Sequence, residues 1–352
     1  MTESINKFRE LMQEQELDGL FIHKPENLLY LTGFTGTFGG AFLTREKCYV
    51  VVDSRYEEQA GGECPGCEII LADRPWQVAK FAASCGRIGY EDDFLTVQVW
   101  QELQQQIPAT AELVALGSEV AAVRMIKNQR EIELLQKAVD IADDAFRHIL
   151  PFIQEGVKEL DIATELDFYM RKQGATGPSF DFIVASGSRS ALPHGVASNN
   201  TLKAHEPVLM DYGCIYQNYC SDMTRTVFLG EPEPEMRQLY YVVKEGQQRA
   251  YRKAFPGVKV CSAEQAVREY FGEMGVEQYF GHSLGHGVGL EIHECPIVNK
   301  KNELKFAAGM VFTLEPGVYI PEVGGIRIED MAYMTPSGVF TMTASPKDLI
   351  VL

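Results

Sequence analysis

Residues 207–230, PVLMDYGCIYQNYCSDMTRTVFLG, contain two apolar segments joined by a short polar one. The apolar run that reaches Asp211 predicts a buried strand, and the run that follows Asp222 predicts its antiparallel partner. If the hairpin turns at Tyr216–Gln217, the two aspartates lie directly opposite each other, with Cβ atoms ~5 Å apart on one face. Facing carboxylates repel, so this arrangement requires a proton on one of them, a different register, or bound cations. The pair is therefore a candidate cation site.

Three segments further along the chain carry carboxylate and imidazole groups. GHSLGHGVGLEIH at 281–293 has three histidines, and its glycines disfavour a helix, so a loop or strand end is expected. TLEPG puts Glu315 at the end of an apolar strand, directly before a proline that stops strand pairing. GIRIED alternates, so that Arg327 and Glu329 share one face of a strand. Taken singly, Glu315 is better explained as an exposed strand-end glutamate, and Arg327 with Glu329 equally well as a same-face ion pair. Three histidines within twelve glycine-rich residues argue against a purely structural role.

Taken together, the segments supply four carboxylates and one imidazole that suit a pair of metal ions: Asp211, Asp222, His286, Glu315 and Glu329. Clustered carboxylates are tolerated in a core when cations or protons neutralise them. His282 and His286 stand four apart, as in the zinc motif HExxH, but Ser283 occupies a position next to His282 where that motif has its glutamate. In the segment SGSRSALPHG, His194 is a loop histidine and a candidate substrate contact.

The length of 352 residues makes two domains the expectation. Strands and helices alternate over the first third, which predicts an α/β domain over residues 1–122. The glycines between residues 33 and 40 lack the Gly-Lys-Ser/Thr of a phosphate loop, and we interpret them as a tight hairpin. A long helix is predicted to begin after Asn128, which forms a capping-box pattern with Glu131. Residues 128–352 are therefore assigned to a second domain.

The formal net charge of −17, without a basic run, makes nucleic acid and anionic membranes poor partners. No apolar run approaches the ~20 residues of a membrane span, and the first residues are typical of an amphipathic helix, not of a signal peptide. Eight scattered cysteines do not form a disulfide framework, and the single CxxC at 64–67 lacks the second pair of a zinc site. These features predict a cytoplasmic protein that binds neither nucleic acid nor membranes.

The five ligand motifs, in this order, resemble those of the pita-bread metallopeptidases. The segments NLLYLTGFTG, VDSRYEEQA and VRMIKNQREIELLQKA are similar to the two-domain, proline-specific branch of that family, which contains Xaa-Pro dipeptidase (prolidase) and Xaa-Pro aminopeptidase (aminopeptidase P). The resemblance covers nearly the whole chain. It implies an α/β N-terminal domain of the creatinase/prolidase type, an α+β pita-bread catalytic domain, and a homodimer.

The resemblance also implies two divalent metal ions. Manganese is expected, and cobalt or zinc are alternatives that the ligand chemistry also allows. Asp211 would bind one ion in bidentate fashion. Asp222 and Glu329 would bridge the two ions. His286 and Glu315 would bind the second ion.

Further roles follow from the same resemblance. The histidines that would line the substrate cleft are His194, His282 and His293. Glu315 would also pass a proton to the leaving nitrogen, and Thr224 would steady Asp222. Arg327 is a further residue of the catalytic cleft, and with Arg189 it is a candidate partner for the free carboxylate of a product proline.

Three functions fit these observations. The first is a metal-dependent exopeptidase that cleaves Xaa-Pro bonds, favoured as a dipeptidase because the chain is compact, with aminopeptidase P activity on longer peptides as the alternative. The second is creatinase-like chemistry, which uses no metal on the same fold, and the complete ligand set argues against it. The third is a non-catalytic peptide-binding module. Relatives of that kind lose ligands, whereas this chain has lost none.

Overall fold

The computed structural model describes residues 2–352, and the chain divides into two compact units, Met1–Arg124 and Met125–Leu352. Each unit has its own buried apolar core. Over the residues that the structure describes, we find no helix whose length and apolar character would let it cross a bilayer.

The first unit is built around a mixed sheet, six-stranded over the described residues, with helices between the strands. Its strands are β1 Gly19–Ile22, β2 Gly40–Thr44, β3 Cys48–Val52, β4 Glu68–Leu71, β5 Arg87–Tyr90 and β6 Glu112–Ala115. Its helices are α1 Thr2–Glu14, α2 Pro25–Thr32, α3 Glu57–Glu63, α4 Ala79–Ala82, α5 Val97–Gln106 and α6 Glu119–Ala122. The strand order is β4-β3-β2-β1-β5-β6, in which β2 runs antiparallel to both neighbours and the other pairs are parallel. The predicted α/β alternation is confirmed.

The glycine-rich stretch between residues 33 and 40 is not a hairpin, and that prediction was wrong. The apolar residues before it form α2, and Gly33 ends this helix with a φ of 84°. Left-handed backbone of this kind is a common helix terminus and favours glycine. The hairpin lies one element later, between β2 and β3, where Thr44 N donates to Lys47 O at 2.8 Å.

The second unit combines helices with several short sheets. Its helices are α7 Gln129–Ile149, α8 Glu159–Lys172, α9 Pro234–Lys253 and α10 Cys261–Glu273, with 3-10 turns at Leu150–Phe152, Gly187–Ala191 and Glu277–Tyr279. Its first strands are β7 Gly177–Pro178, β8 Ile183–Ser186, β9 Glu206–Tyr212, β10 Cys214–Tyr216, β11 Tyr219–Cys220 and β12 Met223–Leu229. The later strands are β13 Gly285–Gly287, β14 Glu294–Val298, β15 Val311–Leu314, β16 Gly317–Ile320, β17 Gly324–Arg327, β18 Asp330–Thr335 and β19 Gly338–Thr341.

Two helix pairs cover these sheets. Helices α7 and α8 pack on the sheet β12-β9-β8, burying Phe146 and Leu166 with Met210. Helices α9 and α10 pack on the strands that follow residue 284, burying Val243 and Phe271 among them. The predicted capping box of α7 is present, since Glu131 N donates to Asn128 Oδ1 at 3.0 Å and Asn128 N donates to the Glu131 carboxylate at 2.9 Å. The acidic and imidazole motifs all fall on strands or strand ends between these helical layers.

Candidate metal centre

The hairpin formed by β9 and β12 carries two of the acidic side chains, but its register differs from the predicted one. The turn lies at Gln217–Asn218, where both residues have positive φ, 45° and 71°. Two successive positive φ values define the turn that suits a two-residue hairpin. This places Asp211 opposite Thr224, not opposite Asp222, so the predicted direct pairing was wrong. Because the offset is two residues, both aspartates still point to the same face of the sheet.

Gly213 allows the two strands of this hairpin to approach each other beside the aspartates. A Cβ at this position would lie 1.8 Å from Ser221 O and 2.5 Å from Ser179 Oγ. We therefore expect Gly213→Ala to lower the free energy of unfolding by about 1–3 kcal/mol, the usual cost of overpacking. Gly272→Ala is the matched control, because Gly272 lies in α10 with nothing within 4 Å of its Cβ position. Urea unfolding of both variants and of wild type checks this; a Gly213→Ala midpoint equal to that of wild type would contradict the expectation.

His286 is held by closely spaced strands. It is the central residue of β13, and a Cβ on either neighbour would clash: 2.1 Å from Thr313 O at Gly285 and 2.2 Å from Cys295 O at Gly287. The glycines thus serve the close packing of β13 between β14 and β15. His286 Nδ1 lies 3.1 Å from Gly287 O, which favours the tautomer with its proton on Nδ1. That tautomer leaves Nε2 available as a ligand.

The remaining acids come from three other strand ends, and the imidazole joins two of them. Glu315 follows β15, Glu329 lies between β17 and β18, and Asp222 directly precedes β12. His286 Nε2 is 3.3 Å from a Glu315 oxygen and 3.5 Å from an Asp222 oxygen. One ligand atom from each of Asp222, His286 and Glu329 lies within 4.8 Å of the others. Several sheets therefore converge on one point.

Asp211 and Thr224 complete the immediate surroundings. Asp211 accepts a hydrogen bond from Arg327, and its charge acts on the pKa of Asp222. The Thr224 hydroxyl donates to Glu329 Oε2 at 2.6 Å. Thr224 therefore steadies Glu329. The resemblance had implied that it would steady Asp222 instead. The difference arises because Glu329, which lies between β17 and β18, is 105 residues away along the chain.

The electrostatics of the cluster show strong mutual repulsion among the protein groups. Burial, followed by the charges of neighbouring carboxylates, raises the pKa of Asp222 and of Glu329 well above their usual ranges. Burial also raises the pKa of Asp211, although Arg327 opposes this. At Glu315 burial raises the pKa, but the hydrogen bond and charge of His286 outweigh this effect, so the pKa lies below its usual value. Either protons or cations must therefore compensate the charge of this cluster.

The donor set fits divalent metal ions. Asp211 Oδ1 and Asp222 Oδ1 are buried side-chain atoms for which the structure gives no hydrogen-bond partner. Buried carboxylate oxygens are costly when unpaired, so their lone pairs point to a ligand that is not part of the protein. Hard oxygen donors with one imidazole suit manganese or cobalt, and zinc also accepts them.

A chain of hydrogen bonds runs beside the acidic cluster. Arg327 Nη1 donates to the Tyr319 hydroxyl at 2.6 Å, and that hydroxyl lies 2.9 Å from His282 Nε2. Because His282 Nδ1 lies 2.7 Å from Ser283 O, its proton sits on Nδ1 and Nε2 accepts from Tyr319. Burial raises the pKa of Tyr319 to about 12, so the hydroxyl keeps its proton at neutral pH. This chain fixes His282 beside the cleft.

The two arginines suggested as carboxylate partners are both engaged by the protein. Arg327 donates to Asp211 and, through Nε, to Thr224 Oγ1 at 3.1 Å. Arg189 pairs with Glu159 and donates to Val196 O at 3.1 Å. Arg327 therefore braces a candidate ligand, whereas the Arg189 side chain stays 29% exposed beside its partners.

The other two predicted cleft histidines lie at the surface. His293 is exposed, and its ring centre is 4.4 Å from that of His286, at an interplanar angle of 68°. His194 is also exposed, and its charge contributes to lowering the pKa of His293, after burial and the charge of His286. Both side chains are thus near the acidic cluster and accessible to a ligand.

Two residues of this region were missed from the sequence. Tyr319 sits within the apolar segment GVYI and is indistinguishable there from a core tyrosine. Arg225 is buried behind the cluster and donates to the carbonyls of Thr224 and Glu329 at 2.9 and 2.5 Å. An arginine inside a strand that ends in Val227, Phe228 and Leu229 was a usable signal, since a buried charge needs partners.

The fold and the site define a class. A buried set of carboxylates and one imidazole on converging strand ends, with unpartnered oxygens, is typical of an enzyme that binds divalent metal ions and uses them as Lewis acids.

Comparison with known proteins agrees with this class. Residues 133–336 match metallopeptidase family M24, and residues 5–126 match the creatinase/prolidase N-terminal domain. The chain belongs to metallopeptidase family M24; it is a metal-dependent hydrolase with that family's pita-bread fold.

Several relatives are similar over their full length. The Xaa-Pro dipeptidase of Pyrococcus furiosus is 36% identical over 354 residues, which cover 99% of this chain and 100% of that protein. The solved structure of a Xaa-Pro dipeptidase from Bacillus anthracis matches with a TM-score of 0.96 at 41% identity, covering 100% of this chain and 99% of that one. An X-Pro aminopeptidase from Thermotoga maritima matches with a TM-score of 0.88 at 34% identity, covering 96% and 98%.

Proposed function

We propose that this chain hydrolyses Xaa-Pro bonds and prefers dipeptides. The observation that carries the proposal is the buried cluster in which ligand atoms of Asp222, His286 and Glu329 lie within 4.8 Å of one another, with Glu315 beside His286 and unpartnered oxygens on Asp211 and Asp222. The full-length similarity to Xaa-Pro dipeptidases from two organisms supports the substrate class.

We propose that the cluster holds two divalent ions, preferably manganese. The residues that would hold them are Asp211, Asp222, His286, Glu315 and Glu329. Divalent ions, when bound, polarise a carbonyl oxygen and lower the pKa of water. The protein contributes the placement of the ligands, which Thr224 and Arg327 fix from outside by hydrogen bonds to Glu329 and Asp211.

Glu315 is the proposed proton carrier. Its carboxylate lies 3.3 Å from His286 Nε2, and its pKa is held below the usual range, so it is ionised at neutral pH. The proton that Glu315 takes from the attacking water passes to the leaving nitrogen as the C–N bond breaks, and the water oxygen stays on the new carboxyl group. An Xaa-Pro nitrogen carries no hydrogen, so a peptidase for this bond cannot depend on a hydrogen bond from it.

The histidines around the cluster are the proposed substrate contacts. His194 and His293 are exposed, whereas His282 is fixed through Tyr319. This division supports a role for the exposed pair in holding the peptide, while His282 shapes the cleft wall.

Substrate comparison tests the proposal. We expect the manganese-loaded protein to hydrolyse Met-Pro and Ala-Pro faster than Ala-Pro-Ala, and to turn over Ala-Ala at a small fraction of these rates. The N-terminal amino acid released from each substrate is measured, and a chelator-treated sample is the control. Equal turnover of Ala-Ala and Ala-Pro would contradict the proline specificity.

Aminopeptidase P activity is the second candidate. The observation that favours it is the burial of Arg327, whose hydrogen bonds to Asp211, Thr224 and Tyr319 leave its guanidinium group unavailable to the free carboxylate of a dipeptide. Similarity to the X-Pro aminopeptidase of Thermotoga maritima points the same way. Faster turnover of Ala-Pro-Ala than of Ala-Pro would select this alternative.

We further propose a homodimer that works in the cytoplasm. The dimer rests on the resemblance to the two-domain branch, and light scattering tests it. None of the eight cysteines, which all lie within the described residues, forms a disulfide bond, and this accords with a reducing compartment.

A further inference from the structure

Glu159, the first residue of α8, has a side chain with no exposed surface. Its Oε1 accepts hydrogen bonds from Ser186 N at 2.8 Å, from Ser186 Oγ at 3.0 Å and from Asn200 Nδ2 at 3.1 Å. Its Oε2 accepts from Ser198 Oγ at 2.7 Å and from Arg189 Nη1. One carboxylate therefore satisfies donors from four residues.

These donors all belong to a single segment, residues 186–200, and come from both of its ends. Ser186 is the last residue of β8, whereas Ser198 and Asn200 lie beyond the bend of the segment. His194 lies between them. By binding both ends at once, Glu159 closes the segment into a loop with His194 near its tip.

The opposite side of the loop is attached to β17, the strand that leads to the metal centre. Gly325 N donates to Ser190 Oγ at 2.8 Å, and Arg327 Nη1 donates to Pro193 O at 3.1 Å. A Cβ at Gly325 would lie 2.2 Å from Ser190 O, so this approach is close. The loop that carries His194 is thus held between Glu159 and the residue that braces Asp211.

The ionised form of Glu159 is the one that makes these contacts. Burial raises the pKa of Glu159, but the hydrogen bonds from Ser198, Asn200, Ser186 and Arg189 lower it further, to below its usual value. A buried carboxylate is stable only when it is paired and hydrogen-bonded in this way. The loop and the carboxylate therefore stabilise each other.

We propose that Glu159 is a positioning residue that fixes His194 for substrate binding at the metal centre. The inference rests on the proposed function, in which His194 contacts the peptide. A purely structural role would make Glu159 important for stability alone, without any energetic coupling to His194.

The test begins with Glu159→Gln. The amide keeps the shape of the side chain but places its own N–H group against either the Ser186 and Asn200 donors or Arg189. Those N–H groups can donate but cannot accept, so at least one hydrogen bond is lost. We expect kcat/KM for Xaa-Pro dipeptides to fall roughly 10–100-fold, as a displacement of about 1 Å can cause. Glu155→Gln is the matched control, because Glu155 is an exposed glutamate in the turn before α8. Bound metal, measured by mass spectrometry, is expected to be equal in both variants.

Coupling to His194 separates positioning from structural support. In a His194→Ala background, we expect Glu159→Gln to lower kcat/KM less than about threefold, because the His194 side chain that Glu159 positions is then absent. If the fold losses in kcat/KM of the two single variants multiply in the double variant, Glu159 does not act through His194 and the inference is overturned.

Hydrogen–deuterium exchange gives a readout that does not depend on activity. Residues 187–199 are expected to exchange at least tenfold faster in Glu159→Gln than in Glu155→Gln. Unchanged exchange overturns the inference even if the protein is an active peptidase. If wild-type protein cleaves no Xaa-Pro substrate, the proposed function fails, while faster exchange still supports Glu159 as the residue that orders the His194 loop.

A milder variant covers the case in which Glu159→Gln does not fold. Ser198→Ala removes the hydrogen bond from Ser198 Oγ to Glu159 and the one that Ser198 Oγ accepts from Asn200 N, and it leaves the pairing of Glu159 with Arg189 in place. It also leaves the backbone hydrogen bonds from Glu159 N to Asn200 O and from Leu160 N to Ser198 O, both 3.0 Å. The same faster exchange and the same coupling to His194 are expected, at smaller amplitude. Their absence would count against the inference.

Discussion

Asp222→Asn is expected to reduce Xaa-Pro hydrolysis more than about 100-fold and to reduce bound metal, because loss of an outer hydrogen-bond partner alone costs 10–100-fold. Asp222 Oδ1 is buried without a partner, and Oδ2 is 3.5 Å from His286 Nε2. An amide at this position removes one negative charge and presents an N–H group to the space that a cation would occupy. Metal content by mass spectrometry and turnover of Met-Pro are the measurements.

The stability of the same variant is expected to change in opposite directions with and without metal. Burial and the charge of Glu329 raise the pKa of Asp222, so in the metal-free protein this group is a source of repulsion. Removing the charge should leave the metal-free variant as stable as wild type or more so. With manganese at 100 times its dissociation constant, wild type gains about 2.7 kcal/mol by linkage, and the variant should gain much less.

Asp140→Asn is the control for this experiment, since Asp140 is an exposed aspartate on α7. It should match wild type in metal content, turnover and thermal stability. A fully active, metal-bound Asp222→Asn protein would show that the cluster does not bind metal through this residue.

Arg225→Met is expected to produce the largest loss of stability. The guanidinium group is buried and paired with Asp330 at 2.7 Å, with 1% and 0% of the two side chains exposed. It also donates to four carbonyls, those of Thr224, Glu329, Ser345 and Pro346. Removing one partner of a buried ion pair typically costs 3–5 kcal/mol, so we expect a fall of about 3–5 kcal/mol in the free energy of unfolding.

The control for this substitution is Arg237→Met, which removes a surface ion pair with Glu231. Exposed pairs contribute about 0–1 kcal/mol, so its effect should be small. Urea unfolding at neutral pH compares the two. If Arg225→Met costs no more than Arg237→Met, the guanidinium group does not stabilise the strands that carry Glu329. Activity should fall with Arg225→Met as well, since Arg225 holds the carbonyl of Glu329.

Much of the fold was predictable because it depends on local patterns. The strands β1, β3, β4 and β5 follow apolar runs, and α7 begins at a capping box whose two hydrogen bonds join residues three apart. The order of the acidic and histidine motifs was also readable, and it identified the family. Such features depend on short-range sequence, which the chain carries wherever its segments later pack.

Local patterns failed where two conformations share a composition. The glycines between residues 33 and 40 suit a hairpin and equally a helix end followed by a loop. Only the packing of α2 within the first unit decided between the two conformations. The β9–β12 hairpin likewise allowed two turns one residue apart. The positive φ values of Gln217 and Asn218 selected the register that places Asp211 opposite Thr224.

The sequence by itself determined which side chains are available: four carboxylates and one imidazole in order, on strands and loops whose apolar neighbours bury them. Only the tertiary structure decided their partners, because the contacts join distant segments. Thr224 reaches Glu329 across 105 residues and Arg327 reaches Asp211 across 116. The hydrophobic periodicity of the sequence does not predict such contacts, since they arise where separate sheets converge. The roles of Tyr319, Arg225 and Glu159 therefore became visible only once the strands were in place.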